Sequence, residues 1–135
     1  MGTFVPYVPH IIETDHFTDN NGNKYAIQGN INGKTVVVIY AIICTECKSL
    51  VYVGQTGDTL YQRMILNFSK IRTLKKDDPV GKHFLQKSHT KKNLKFIGIK
   101  KVLGTESCRK VKTSIWMKKL STLESEGLNT QYERK

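Results

Sequence analysis

The chain has 135 residues, 39% hydrophobic and 24% charged, a size and balance that suit one globular domain. Its 22 basic side chains against 11 acidic ones leave a formal net charge of +11. No apolar run approaches the roughly 20 residues of a membrane span, and the opening "MGTFVPYVPH" lacks the basic stretch and long apolar core of a secretory signal.

In chain order, residues 1–34 are rich in Asn, Gly and Asp ("TDNNGNKYAIQGNINGK") and read as an irregular arm with one short hairpin. "TVVVIYAII" is β-branched and continuous, which predicts a buried strand. "SLVYVGQT" predicts a second strand, ending around Gly54 and Gly57. From Asp58 or Thr59, either one a fair N-cap, "TLYQRMILNFSKIRTLKK" places Leu60, Met64, Phe68 and Ile71 at helical spacing. Pro79 opens a second short helix, "PVGKHFLQKSH". "LKFIGIKKVL" alternates like a third strand, and "RKVKTSIWMKKLSTL" reads as a final helix running into "EGLN". The turn between the first two strands is too short for a parallel crossover. The expected class is therefore α/β in the α+β sense: a small three-stranded antiparallel sheet flanked by helices. The expected limits are an arm at 1–34, the domain proper at 35–130 and a tail at 131–135.

The charge is unevenly spread. Residues 63–101 hold twelve Lys or Arg against only Asp77 and Asp78, whereas residues 1–62 are slightly acidic. A basic middle third suggests a surface for a polyanion. Lys70, Arg72, Lys75 and Lys76 lie near the end of the first long helix, and Lys91, Lys92 and Lys95 near the third strand, so these seven are the candidate phosphate contacts. Double-stranded DNA is the expected partner, with RNA as a second polyanion. A membrane surface is not expected, because no amphipathic basic helix is visible.

Cys44 and Cys47 stand in the turn of the predicted hairpin with the spacing of a zinc knuckle. Such a site needs two further ligands, and His83 and His89 in "KHFLQKSH" can supply them, one on the short helix and one just past its end. Soft thiolates with imidazoles in a closed tetrahedral set favour Zn²⁺ in a structural role. A disulfide fits poorly with three cysteines and no secretory signal, which point to a nuclear or intracellular, reducing compartment. A redox pair wants a helix N-terminus to lower the thiol pKa, and this one sits between strands.

"VIY" (Val38–Tyr40) and "YVG" (Tyr52–Gly54) put two tyrosines on adjacent strands, Arg63 follows in "GDTLYQRMILNF", and "GLN" (Gly127–Asn129) closes the pattern. From about Thr35 to Asn129 the chain resembles the GIY-YIG endonuclease family, with Val38 in place of the first glycine. Cysteines within that core, followed by "HFL", a downstream His and "W-x3-L-x-TL…GLN", look most like the endonuclease domain of Penelope-like retroelements. The arm segment "TDHFTDNNGNKYAI" is similar to sequence that precedes that domain. The resemblance implies DNA nicking by phosphodiester hydrolysis, with a reverse transcriptase in the same polyprotein. Tyr40 and Tyr52 would position or deprotonate the water, Arg63 would hold the phosphate, and Asn129 would support the site. A glutamate on the last helix would hold Mg²⁺ or Mn²⁺ at the leaving oxygen.

Two positions depart from that pattern. The expected glutamate, three residues before Trp116, is Thr113, a poor ligand for Mg²⁺. Asn67 stands four after Arg63, where relatives often carry His, and cannot shuttle a proton. The expectation is a weakened or inactive nuclease domain. The alternatives are a zinc-stabilised DNA-binding module without catalysis, or a basic domain for RNA or protein partners.

Overall fold

The computed structural model describes residues 10–27, 29, 31–73, 78–86, 89, 91–123 and 127–129. Strand β4 (Val36–Cys44) lies between β5 (Ser49–Thr59) and β6 (Leu94–Lys101) and is antiparallel to both. Its continuous apolar run follows from that central place, where both faces are covered. A short strand β1 (Ile11–Ile12) adds to the free side of β6 in parallel, giving the order β1-β6-β4-β5. The sheet is thus mixed and four-stranded, not the three-stranded antiparallel sheet read from the sequence. Two residues are too few to carry a strand period, and their partners, Phe96 and Ile97, lie far along the chain. The arm's hairpin is present as β2 (His16–Thr18) and β3 (Lys24–Ala26). Phe17, Ile27 and Ile31 are buried in the core, so the arm is built into the domain.

β5 does not stop at its glycines but runs to Thr59, which also caps the next helix. Helix α1 (Leu60–Arg72) opens with a capping box, Thr59 and Gln62 each bonding the other's backbone. Its expected apolar stripe, Leu60, Met64, Phe68 and Ile71, is buried throughout. The predicted extension of this helix to Lys76 falls partly on residues 74–77, outside the described ones. Helix α2 (Pro79–Phe84) has Asp78 as N-cap and ends five residues short of His89. β6 likewise ends at Lys101, two residues early. Helix α3 (Glu106–Leu120) starts three residues earlier than expected, because Thr105 is a good N-cap, its Oγ1 accepting from Cys108 N. It ends at Ser121 in the left-handed region (φ 56°). Among the described residues no helix is long and apolar enough to cross a membrane.

The outer edge of β5 is covered along most of its first half. The side-chain amide of Asn20 donates to Leu50 O at 2.9 Å and accepts from Leu50 N at 2.8 Å. Leu128 N donates to Val51 O at 2.8 Å. Asn129 repeats the Asn20 arrangement on Val53, with both bonds at 2.9 Å. Gly127 is needed for this return of the chain, since a Cβ there would lie 2.6 Å from Thr122 Cα and Thr122 O.

Candidate functional site

The β4–β5 turn (Thr45–Lys48) is closed by Lys48 in the left-handed region, φ 55°. This brings Cys47 back over Cys44, whose Sγ accepts from Cys47 N at 3.4 Å. Cys44 is fully buried at the end of β4, and Cys47 is exposed. Asn93 anchors the turn from a short 3₁₀ segment (Lys91–Asn93), accepting from Thr45 N at 2.9 Å and donating to Thr45 Oγ1 at 3.0 Å. Opposite stands α2, pinned by the fully buried Phe84. His83 Nε2 lies 3.6 Å from Cys47 Sγ, and His89 Nε2 lies 3.3 Å from it. The four candidate ligand atoms lie within 4.8 Å of one another. Sulfur and nitrogen ligands on one tetrahedral zinc are separated by about 3.6 Å, given bonds of about 2.3 and 2.1 Å. Cys44, Cys47, His83 and His89 therefore form a group that could hold a metal ion such as zinc. The Gln86 amide lies 3.4 Å from His83 Nδ1, the nitrogen turned away from the cluster, where an outer partner orients a ligating ring. Burial, with the neighbouring His89, holds His83 below the ordinary imidazole value and so favours the neutral, ligating form. Burial and the Cys44 thiol push Cys47 up, a state that a bound cation reverses.

A second grouping lies on one sheet face. Tyr40 and Gly54 are register partners, and Tyr52 is next on the same side of β5. A Cβ at Gly54 would meet Tyr40 Oη at 2.6 Å and Tyr52 Cε2 at 2.9 Å, so only glycine leaves room for the two rings. Their centroids are 6.4 Å apart. Tyr40 is fully buried and Tyr52 half-buried. Arg63, from the first turns of α1, donates through Nε to Tyr40 Oη at 3.0 Å. Tyr40 foremost raises Arg63 above the usual arginine value against the opposing effect of burial, with Tyr52 and Asp78 adding to it. No carboxylate forms an ion pair with Arg63 among the described residues.

The other expected site residues are placed differently. Asn67 is buried, and its Nδ2 donates to Arg63 O at 3.2 Å, one turn back along α1. Thr113 is fully buried in α3, its hydroxyl donating to Arg109 O at 2.6 Å. Arg109 reaches β5 instead, donating through Nε to Gln55 Oε1 at 2.8 Å. Asn129 braces Val53, the residue between Tyr52 and Gly54. Asn129→Ala is expected to cost roughly 2–3 kcal/mol, because it strips a buried donor and acceptor of their partners. Thermal unfolding checks this, and an unchanged melting temperature contradicts it.

Of the candidate phosphate contacts, Lys70 is paired with Asp78 at 3.0 Å, which ties α1 to the start of α2. Lys92 is exposed and Lys95 half-buried. The Arg72 and Lys91 side chains, and Lys75 and Lys76 entirely, lie outside the described residues. Asp78 and Gln86 were not singled out in the sequence. The "DP" pair at 78–79 carries a cap signal that could have drawn attention to Asp78, whereas nothing local marks Gln86.

Comparison with models of known protein families, with curated proteins and with solved structures finds no match for this chain.

Proposed function

We propose that this chain is a zinc-stabilised, GIY-YIG-type DNA-nicking domain of a Penelope-like retroelement, with a weakened catalytic metal site. The observation that carries the reading is the Arg63 Nε to Tyr40 Oη bond at 3.0 Å, with Tyr52 alongside and Gly54 clearing the space for both rings. A tyrosine hydroxyl titrates near 10 in isolation. With its oxygen fixed by Arg63, Tyr40 can orient an attacking water or accept the water's proton. Arg63 is the planar cation available to the charge that develops on phosphorus. Cys44, Cys47, His83 and His89 would hold Zn²⁺ as a closed, structural site. Mg²⁺ or Mn²⁺, when bound, would polarise the leaving oxygen, and Thr113 lacks the carboxylate to hold it.

A second reading is a zinc-stabilised DNA-binding module that has lost catalysis. It is favoured by Thr113 itself, which is fully buried with its hydroxyl proton committed to a backbone carbonyl. Both readings predict binding of duplex DNA driven by phosphate contacts, with little sequence preference. For about four such contacts the affinity is expected to fall about a hundredfold between 50 and 200 mM salt. Salt-insensitive binding, or none at low salt, would remove both in favour of a protein partner. Nicking of supercoiled plasmid by the same protein with Mg²⁺ then separates the two.

A further inference from the structure

Away from both groupings, the β2–β3 hairpin and the last turns of α3 build a corner of aromatic rings. Phe17 and Tyr25 are register partners across the hairpin, stacked 5.0 Å apart with 15° between their planes. Trp116 stands 5.6 Å from Tyr25 at 67°, and 5.9 Å from Phe17 at 52°. Phe17 is the buried floor, while Tyr25 and Trp116 are half-buried walls. The Tyr25 wall is fixed from behind, since its hydroxyl donates to Asp19 Oδ2 at 2.9 Å. That carboxylate also accepts from Asn21 N, Asn23 N and Asn23 Nδ2, which makes the loop rigid.

A cation already occupies the corner. Lys119 Nζ lies 4.7 Å from the Trp116 centroid and 5.9 Å from that of Tyr25. Lys119 is exposed, and it forms no ion pair among the described residues. The two ring faces therefore attract the ammonium without help from a carboxylate. A primary ammonium is strongly hydrated and gives up part of its water to sit there. A quaternary ammonium is the cation that aromatic cages recognise most often.

We propose that the Tyr25–Trp116 corner is a binding site for a quaternary ammonium group, of the kind a trimethylated lysine of a partner protein presents, with Lys119 as an internal occupant that the ligand displaces. The rigid Tyr25 wall means little ordering is needed on binding.

Trp116 is the chain's single tryptophan, so its fluorescence reads this corner alone. The full chain is titrated with tetramethylammonium chloride against sodium chloride at matched ionic strength, as wild type and as Lys119→Ala. A saturable change is expected in both, about threefold tighter or more in Lys119→Ala, where no internal cation competes. tert-Butanol, of the same shape but uncharged, should give no saturable change. A folded Lys119→Ala protein with no response to tetramethylammonium overturns the proposal. So does an equal response to tert-butanol, which would make the corner an apolar cleft. Lys119→Gln provides the same test if the alanine variant melts early.

Discussion

Stripping the metal from the Cys44–Cys47–His83–His89 group is expected to lower the melting temperature by about 10 °C or more, since structural zinc contributes several kcal/mol to folding. The geometry says why the loss is large. Helix α2 has only six residues, too few to be stable alone. It is held at one end by Asp78 and Lys70 and, under the zinc reading, at the other by His83. Cys47→Ser should reproduce the effect of a chelator, and carefully purified wild type should contain about one zinc per chain. Acid acts in the same direction. Protons compete for the thiolates and imidazoles, so the metal's contribution is present at neutral pH and fades as pH falls. His83 agrees in sign, because a ring held below its usual value gives stability that is lost as pH drops through its range. Zinc-free protein with a wild-type melting curve, together with an unaltered Cys47→Ser variant, would end the zinc reading.

Thr113→Glu is expected to raise Mg²⁺-dependent nicking of plasmid DNA by about a hundredfold or more, taking a metal-held contact at roughly 3 kcal/mol or above. The gain should disappear when Arg63→Ala is added, because the transition state then loses its cation. Thr113 is fully buried, so an ionised glutamate there also costs stability in the absence of a cation. This supplies an independent readout: Mg²⁺ should raise the melting temperature of Thr113→Glu and leave the wild type unmoved. A variant that nicks no better, and that Mg²⁺ does not stabilise, rules out position 113 as the missing ligand. Nicking by the wild type at a comparable rate would mean that another group already holds the ion.

The parts of the fold that were legible in the sequence are those with a short-range physical signature. The β4 and β5 runs, the α1 stripe from Leu60 to Ile71, and the Cys-x-x-Cys knuckle with its two histidines depend on residue type and local spacing. The structure brings the four candidate ligand atoms within 4.8 Å of one another, a convergence of the turn and α2 that the sequence spacing alone could not show. β1 was not legible, since Ile11 and Ile12 become a strand only by meeting Phe96 and Ile97. Lys70 illustrates the same limit from the functional side. It reads as one more basic residue in a basic stretch, and only the meeting of α1 with α2 pairs it with Asp78. Asn129 was legible as part of "GLN", yet its bond to Val53 spans 76 positions and belongs to the tertiary structure alone.

The two asparagines along β5 have a consequence for how the chain is made. A strand edge with open N–H and C=O groups is a template for another chain. Asn20 precedes β5 in synthesis and can shield Leu50 as soon as the hairpin forms. Leu128 and Asn129 emerge more than seventy positions after β5 begins, so Val51 and Val53 wait uncovered while everything between is translated. Until that cover arrives, the exposed half of the β5 edge is open to pairing with the same edge of another chain. The closing "GLN" ends that exposure.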